Sequence, residues 1–133
     1  MLRITGNDVT ISNCIFSGPM ALNIITTHAS DRLKIENCFF YAGTTGDVIY
    51  VLDSDDVMIM RNRIIKAGTG EAINLASTDK TVAAERCNHA LVSGNHVAAR
   101  QIKYNDTGSH NVGDPAVTNH AMLNNHVATF NAY

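Results

Sequence analysis

Residues 9–16 read VTISNCIF and residues 33–40 read LKIENCFF, one pattern written twice, 24 positions apart. Weaker copies follow as VMIMRNRII at 57–65, ALVSGNHVA at 90–98 and AMLNNHVA at 121–128. Taking the asparagine of each copy as an anchor gives Asn13, Asn37, Asn62, Asn95 and Asn125, at steps of 24, 25, 33 and 30 residues. Each anchor lies between two short apolar-alternating runs, and the i, i+3, i+4 spacing of a helix is absent. Self-similarity at such a period marks a repeat architecture, in which a unit buries its apolar face only when the next copy stacks on it. Asparagine suits the anchor because it tolerates the left-handed backbone of a sharp corner. Stacked copies can also hydrogen-bond as a structural ladder from unit to unit.

Aligning the units resolves three short strands in each. First strands carry Val9/Ile11, Leu33/Ile35, and Val57/Ile59 or Met58/Met60; second strands follow each asparagine, as in Ile15-Phe16 and Phe39-Phe40. Third strands read ALNII from Ala21, VIYVL from Val48, AINLA from Ala72 and QIKYN from Gln101. Gly18, Gly43 and Gly68, 25 residues apart, mark a second corner suited to positive φ. One extra residue before Asn62 predicts a bulge or phase slip in the third unit. The expected fold is all-β, a parallel β-solenoid of about five coils forming a single domain over 1–133, read as a fragment of a longer protein or as a chain whose ends another chain covers. The expected core is Ile11, Ile15, Leu22, Ile24, Ile35, Phe39, Ile49, Val51, Ile73 and Leu75. Phe16, Phe40 and Ile65 are expected to form an outward stripe on which solenoids would pack side by side.

Charge excludes some partners. The formal net charge is −2 with 17% charged residues, so no cationic footprint for nucleic acid or an anionic membrane surface is present. No apolar run approaches the roughly 20 residues of a membrane span, and the opening MLRITGNDVT lacks a signal-peptide core. Three cysteines, Cys14, Cys38 and Cys87, do not make a disulfide framework. Cys14 and Cys38 stack on neighbouring coils, and free thiols are expected because parallel neighbours seldom aim both sulfurs at each other.

Several constellations are able to carry chemistry. Asp47 and Glu71 precede equivalent third strands, and strands in a sheet stand about 4.8 Å apart. Their carboxyls could thus approach the roughly 5–5.5 Å of a retaining glycosidase pair. They are the candidate catalytic residues, with Tyr50 and Asn74 as sugar-contacting neighbours. The plainer alternative, charged residues at a solvated corner, outranks this. Asp53, Asp55 and Asp56 put three carboxylates in four residues, which suits Ca²⁺, although neighbouring turns add little more than Asp31 or Asp79, so a polar turn is favoured. Asp53 also adjoins the proposed substrate-binding group. His89 matches His120, and His96 matches His126, one coil apart; stacked imidazoles could bind a transition metal or form a pH-sensitive column, and exposed corner histidines are the plainer reading. The corner after the third strand lengthens to 77–88 and 105–119 in the later coils, where binding, tolerated insertion or packing against a neighbour would be accommodated.

The I-x-N-C-I/F-F units at 11–16 and 35–40, the glycine corner, and the S-D-x-Φ-x-Φ re-entry at 30–35 resemble right-handed parallel β-helix proteins of the pectate-lyase-like type. That group includes polysaccharide lyases, polygalacturonases, epimerases and phage tailspikes. The resemblance implies a polysaccharide or oligosaccharide partner, a homo-oligomer with a trimer as the tailspike precedent, and a virion-associated setting. Ca²⁺ is the cofactor that lyases of the group use. The polygalacturonase pattern is incomplete: Ser54-Asp55-Asp56 and Gln101-Ile102-Lys103 match pieces of it, with no Gly-His-Gly between them. The leading expectation is a saccharide-recognising segment. A structural or oligomerisation module without catalysis is the alternative, and a lyase or hydrolase stands third.

Overall fold

The structure, a computed structural model, describes residues 1–20, 23–78, 87–98, 102–106, 117–118 and 121–128. Three parallel sheets account for more than half of them. Sheet A holds β1 (Leu2–Ile4), β4 (Ile25–His28), β7 (Ile49–Leu52), β10 (Ile73–Ser77) and β14 (Ile102–Asp106). Sheet B holds β2 (Thr10–Ser12), β5 (Lys34–Glu36), β8 (Met58–Met60), β12 (Leu91–Ser93) and β16 (Ala121–Leu123). Sheet C holds β3 (Ile15–Met20), β6 (Phe39–Thr44), β9 (Arg63–Ala67), β13 (His96–Ala98) and β17 (His126–Ala128). The chain visits A, B and C in turn, five times. A two-stranded sheet of β11 (Cys87–Asn88) and β15 (Val117–Thr118) joins the later coils between A and B. The chain is an all-β parallel β-helix of about five coils.

Burial follows from stacking like on like. Ile11, Ile35, Ile59, Val92 and Met122 are in register on sheet B. Ile25, Ile49 and Ile73 are in register on sheet A and all fully buried. Of the expected core, Ile24, Ile35, Ile49, Val51, Ile73 and Leu75 are buried and Ile11 packs against the cluster; Leu22 lies outside the described residues.

On sheet C the expected faces are exchanged. Phe40 is fully buried and stacks on Phe16 with ring centroids 4.9 Å apart, whereas Ile15 is 76% exposed and Phe39 half-buried. The inner column is Phe16, Phe40, Ile64, Val97 and Val127, and Ile65 pairs with Tyr41. The expected outward stripe of Phe16, Phe40 and Ile65 therefore does not exist. The cause is the corner at Asn37. Its φ of 53° interrupts the strict two-residue alternation, so Cys38 turns inward, Phe39 outward and Phe40 inward again.

The same corner divides the expected ladder into two columns. Positive φ falls at Asn13, Asn37, Arg61, Gly94 and Asn124. The following position is the inward one and holds Cys14, Cys38, Asn62, Asn95 and Asn125. Asn62 is thus the partner of Cys38, not of Asn37. Register from sheet to sheet keeps a 24-residue step through Ile11, Ile35 and Ile59, and the expected bulge at the third unit is absent. Asn95 Oδ1 accepts both the backbone N–H and the Nδ2 of Asn62, each at 3.0 Å, and Asn125 Oδ1 does the same for Asn95. Their Nδ2 groups also donate to inner carbonyls: Asn62 to Ile35, Asn95 to Ile59 and Asn125 to Val92, at 2.8–3.0 Å. Cys38 continues the column in weaker form, its backbone N–H donating to Asn62 Oδ1 at 2.9 Å and its thiol lying 3.8 Å from the Ile11 carbonyl.

The glycine corner also shifts. Gly18 pairs with Ala42 and Gly43 with Ala67, so the 25-residue glycine series drifts out of register, and Gly18 and Gly43 lie inside β3 and β6. Close approach is required instead at Gly70, where an added Cβ would sit 2.2 Å from the carbonyl oxygen of Gly46 on the preceding coil.

Candidate functional site

The outward positions of sheet A and its two bordering corners gather the candidate residues. At the entry corner Asn23, Asp47 and Glu71 recur every 24 residues. Asn23 Oδ1 accepts the Asp47 N–H at 2.8 Å, and Asp47 Oδ1 accepts the Glu71 N–H at 2.6 Å. Asp47 Oδ2 accepts from Asn74 Nδ2 at 2.8 Å. Both oxygens of Asp47 are therefore engaged in tying coil to coil, a use that a carboxylate performs well because N–H groups bond more strongly to a charged acceptor. Glu71 is half-buried beside it. The two residues are neighbours, as their spacing requires, but Asp47 faces backbone and amide rather than its companion carboxyl.

Tyr50 and Asn74 are in register on β7 and β10, with Thr26 next in line on β4. Burial pushes the Tyr50 phenol above its ordinary pKa, and the charges of Asp47 and Asp53 add to the rise. It is therefore a neutral hydroxyl at physiological pH. Asn74 is only 6% exposed although it stands on the outward-facing phase of β10. Its Nδ2 is held by Asp47, while its Oδ1 has no hydrogen-bond partner among the described residues.

Asp53 ends β7 at a corner with φ of 50°. Its side chain is 2% exposed and fully engaged: Oδ1 accepts the Thr78 N–H at 2.7 Å and Oδ2 the Thr78 hydroxyl at 2.6 Å. His28 Nε2, from the coil below, lies 3.4 Å from Oδ2. The Asp56 carboxylate points elsewhere. The Asp55 N–H donates to Asp31 Oδ1 at 3.0 Å, and Asp56 faces His89 at 3.6 Å. The three carboxylates thus fail to converge, and among the described residues no group of three or more His, Cys, Asp or Glu side chains is placed to hold a metal ion. Asp79, the interiors of the two long corners and His120 lie outside the described residues.

His28, Thr78 and Asn23 were not singled out in the sequence. Asn23 was findable, since a fixed step of 24 leads from Glu71 through Asp47 to it. The His28–Asp53–Thr78 contacts join three coils through side chains of different type, which leaves no repeated letter to follow.

Further along the corner between sheets A and B runs a surface ladder of alternating acidic and basic residues. Asp8, Arg32, Asp56 and His89 occupy equivalent positive-φ positions. Arg32 meets Asp8 through two bonds, of 2.5 and 2.8 Å. The Arg32 guanidinium holds the Asp8 carboxyl below the usual range.

Neither a protein-family model, nor a curated protein, nor a solved structure matches this chain. Its class is defined by architecture alone, that of a parallel β-solenoid, and fold by itself does not determine function.

Proposed function

We propose that the protein is a saccharide-recognising β-helix segment and that the glycan lies along the outward face of β4, β7 and β10. The observation that supports this reading is the polar outward row of Thr26, Tyr50 and Asn74, in register on three neighbouring strands. Asn74 is held in this row by the hydrogen bond from its amide to Asp47, at 2.8 Å. Tyr50 offers a half-buried ring and a neutral hydroxyl one strand away, on a rigid backbone that loses little freedom on binding. Polar side chains fixed by neighbouring coils and an aromatic platform are the ingredients of an orienting site. With both Asp47 oxygens engaged, recognition rather than bond cleavage is the chemistry supported. A glycan array probed with the protein, then with Tyr50→Ala and Asn74→Ala, tests it. Binding that either substitution reduces about tenfold (~1.4 kcal/mol) is expected; an array with no hits, or hits indifferent to both substitutions, sinks the proposal.

A second reading, a structural module that continues a longer shaft or assembles with copies of itself, is favoured by the first coil. There Met1, Leu2, Ile15, Phe16, Ser17 and Ile24 line an open cavity of about 310 Å³, and Ile11 and Phe16 are only partly covered. Sedimentation at micromolar concentration separates the readings: a stable oligomer without glycan binding supports the module, and a glycan-binding monomer removes it.

A further inference from the structure

Sheet C gathers basic side chains on its outward face with no acidic residue on its strands. The chain has 12 acidic and 10 basic residues, yet none of the acidic ones lies on β3, β6, β9, β13 or β17. The charged or titratable side chains on these strands are Tyr41, Arg63, Lys66, His96 and His126. Arg63, His96 and His126 are in register on three consecutive outward positions, with Phe39 next in line. The two imidazoles stack with centroids 4.6 Å apart and planes within 10°. The Arg63 guanidinium carbon lies 5.7 Å from the centroid of the Phe39 ring. All three basic side chains are exposed, and among the described residues none of them has a carboxylate partner. Arg32, Lys34 and Arg61, in contrast, are each paired with one.

We propose that Arg63, His96 and His126 form a pH-gated site for a tetrahedral dianion, sulfate or phosphate in type, free or carried as an ester. Arg63 supplies a permanent charge and a fork of donors that matches such oxygens. The imidazoles supply donors on both sides of one strand spacing, about 4.8 Å. An anion seated against the column is held more strongly when the imidazoles carry charge. Anion binding and proton uptake are therefore linked, and affinity rises as pH falls through the range where histidine changes charge. Among the described residues the groups able to modify this are few. Arg63 and Lys66 lie on the strand packed on one side of β13 and His126 on the other; β6 adds only Tyr41, and β3 adds none. Two charges on the ligand answer a cluster of up to three better than one, which selects a dianion over a simple carboxylate. This face is separate from sheet A, so the proposal stands independently of saccharide recognition there.

Sulfate is the probe because its charge does not change over the pH range used. Titration into the whole protein, followed by the ring resonances of His96 and His126 and by calorimetry, is expected to give about tenfold tighter binding near pH 5.5 than near pH 8. His96→Gln with His126→Gln should abolish the pH dependence, and Arg63→Gln should weaken binding at both pH values, with circular dichroism confirming that the coils remain. A sulfated monosaccharide in a parallel arm distinguishes a sugar-borne group, which binds more tightly than free sulfate, from the ion alone, which the ester only equals. Absence of ring shifts at millimolar sulfate, binding that is indifferent to pH, or acetate binding as well as sulfate would each overturn the proposal.

Discussion

At the asparagine corner two adjacent residues do two different jobs, and the sequence writes both with similar letters. Asn37 is needed for its backbone; its side chain is exposed and accepts only from Arg61 Nε, at 3.1 Å. Asn95 is needed for its side chain, which is buried and bonded to the coils on both sides. Asn95→Ala should therefore destabilise by about 1–3 kcal/mol through stranded inner groups. Asn37→Gly should be nearly neutral, since glycine accepts positive φ freely. Urea denaturation of the two variants measures this, and equal losses would mean that the ladder bonds contribute little. The phase of sheet C is tested in the same way. Phe40→Ala is expected to cost about 3–5 kcal/mol as a closed aromatic site is emptied, whereas Ile15→Ala should stay within about 0.5 kcal/mol of the parent. The reverse order would restore the exchanged face.

Between elements, register is enforced by backbone pairing and reinforced by charged corners. Glu36 closes β5, accepting from Lys34 on its own strand at 2.8 Å and from Arg61 on the next coil at 2.5 Å. The Lys34 ammonium foremost, with Arg61 beside it, holds the Glu36 carboxyl below the usual range. A carboxylate whose pKa is depressed in the folded state adds stability above its unfolded pKa of about 4.3 and loses it as pH falls through the folded value. Thermal melts between about pH 6 and pH 3 should show acid destabilisation that is shallower in Glu36→Gln. Parallel slopes for the two proteins would remove Glu36 from the acid response. The element order and number of coils were readable because stacked strands repeat their composition. The inward face of sheet C was not, because it depends on whether a left-handed residue at the corner uses up a position, and Phe39-Phe40 offers an aromatic for either face.

Over the whole molecule, stability runs along the solenoid, each coil being held by its neighbours on both sides. The cysteines report on it from three coils. Cys14 on the first is exposed, while Cys38 and Cys87 are buried. Burial pushes the Cys38 thiol up and the Cys87 thiol to about 12. Because the thiolate is the reactive form, iodoacetamide near pH 8 should label Cys14 at least about tenfold faster than the other two. Mass spectrometry after timed quenching reads this directly, and uniform labelling would show that the coils open readily. Asp47, Tyr50, Asn74 and Asp53 were legible as one region because a 24-residue step places them on adjacent coils. What each does was not legible: Asp47 and Asp53 turn out to be bonded to backbone and side chains above them, and the Asn74 amide is tied to Asp47.

The repeat by itself determined the class of fold, the three-sheet order and most of the core, because a period near 24 with alternating apolar residues permits stacking and little else. Tertiary structure alone decided which asparagines form the ladder, which phenylalanines face inward and which basic side chains stand together on sheet C. Each of those depends on a single left-handed residue that resets side-chain direction, and on a register between coils that local sequence does not encode.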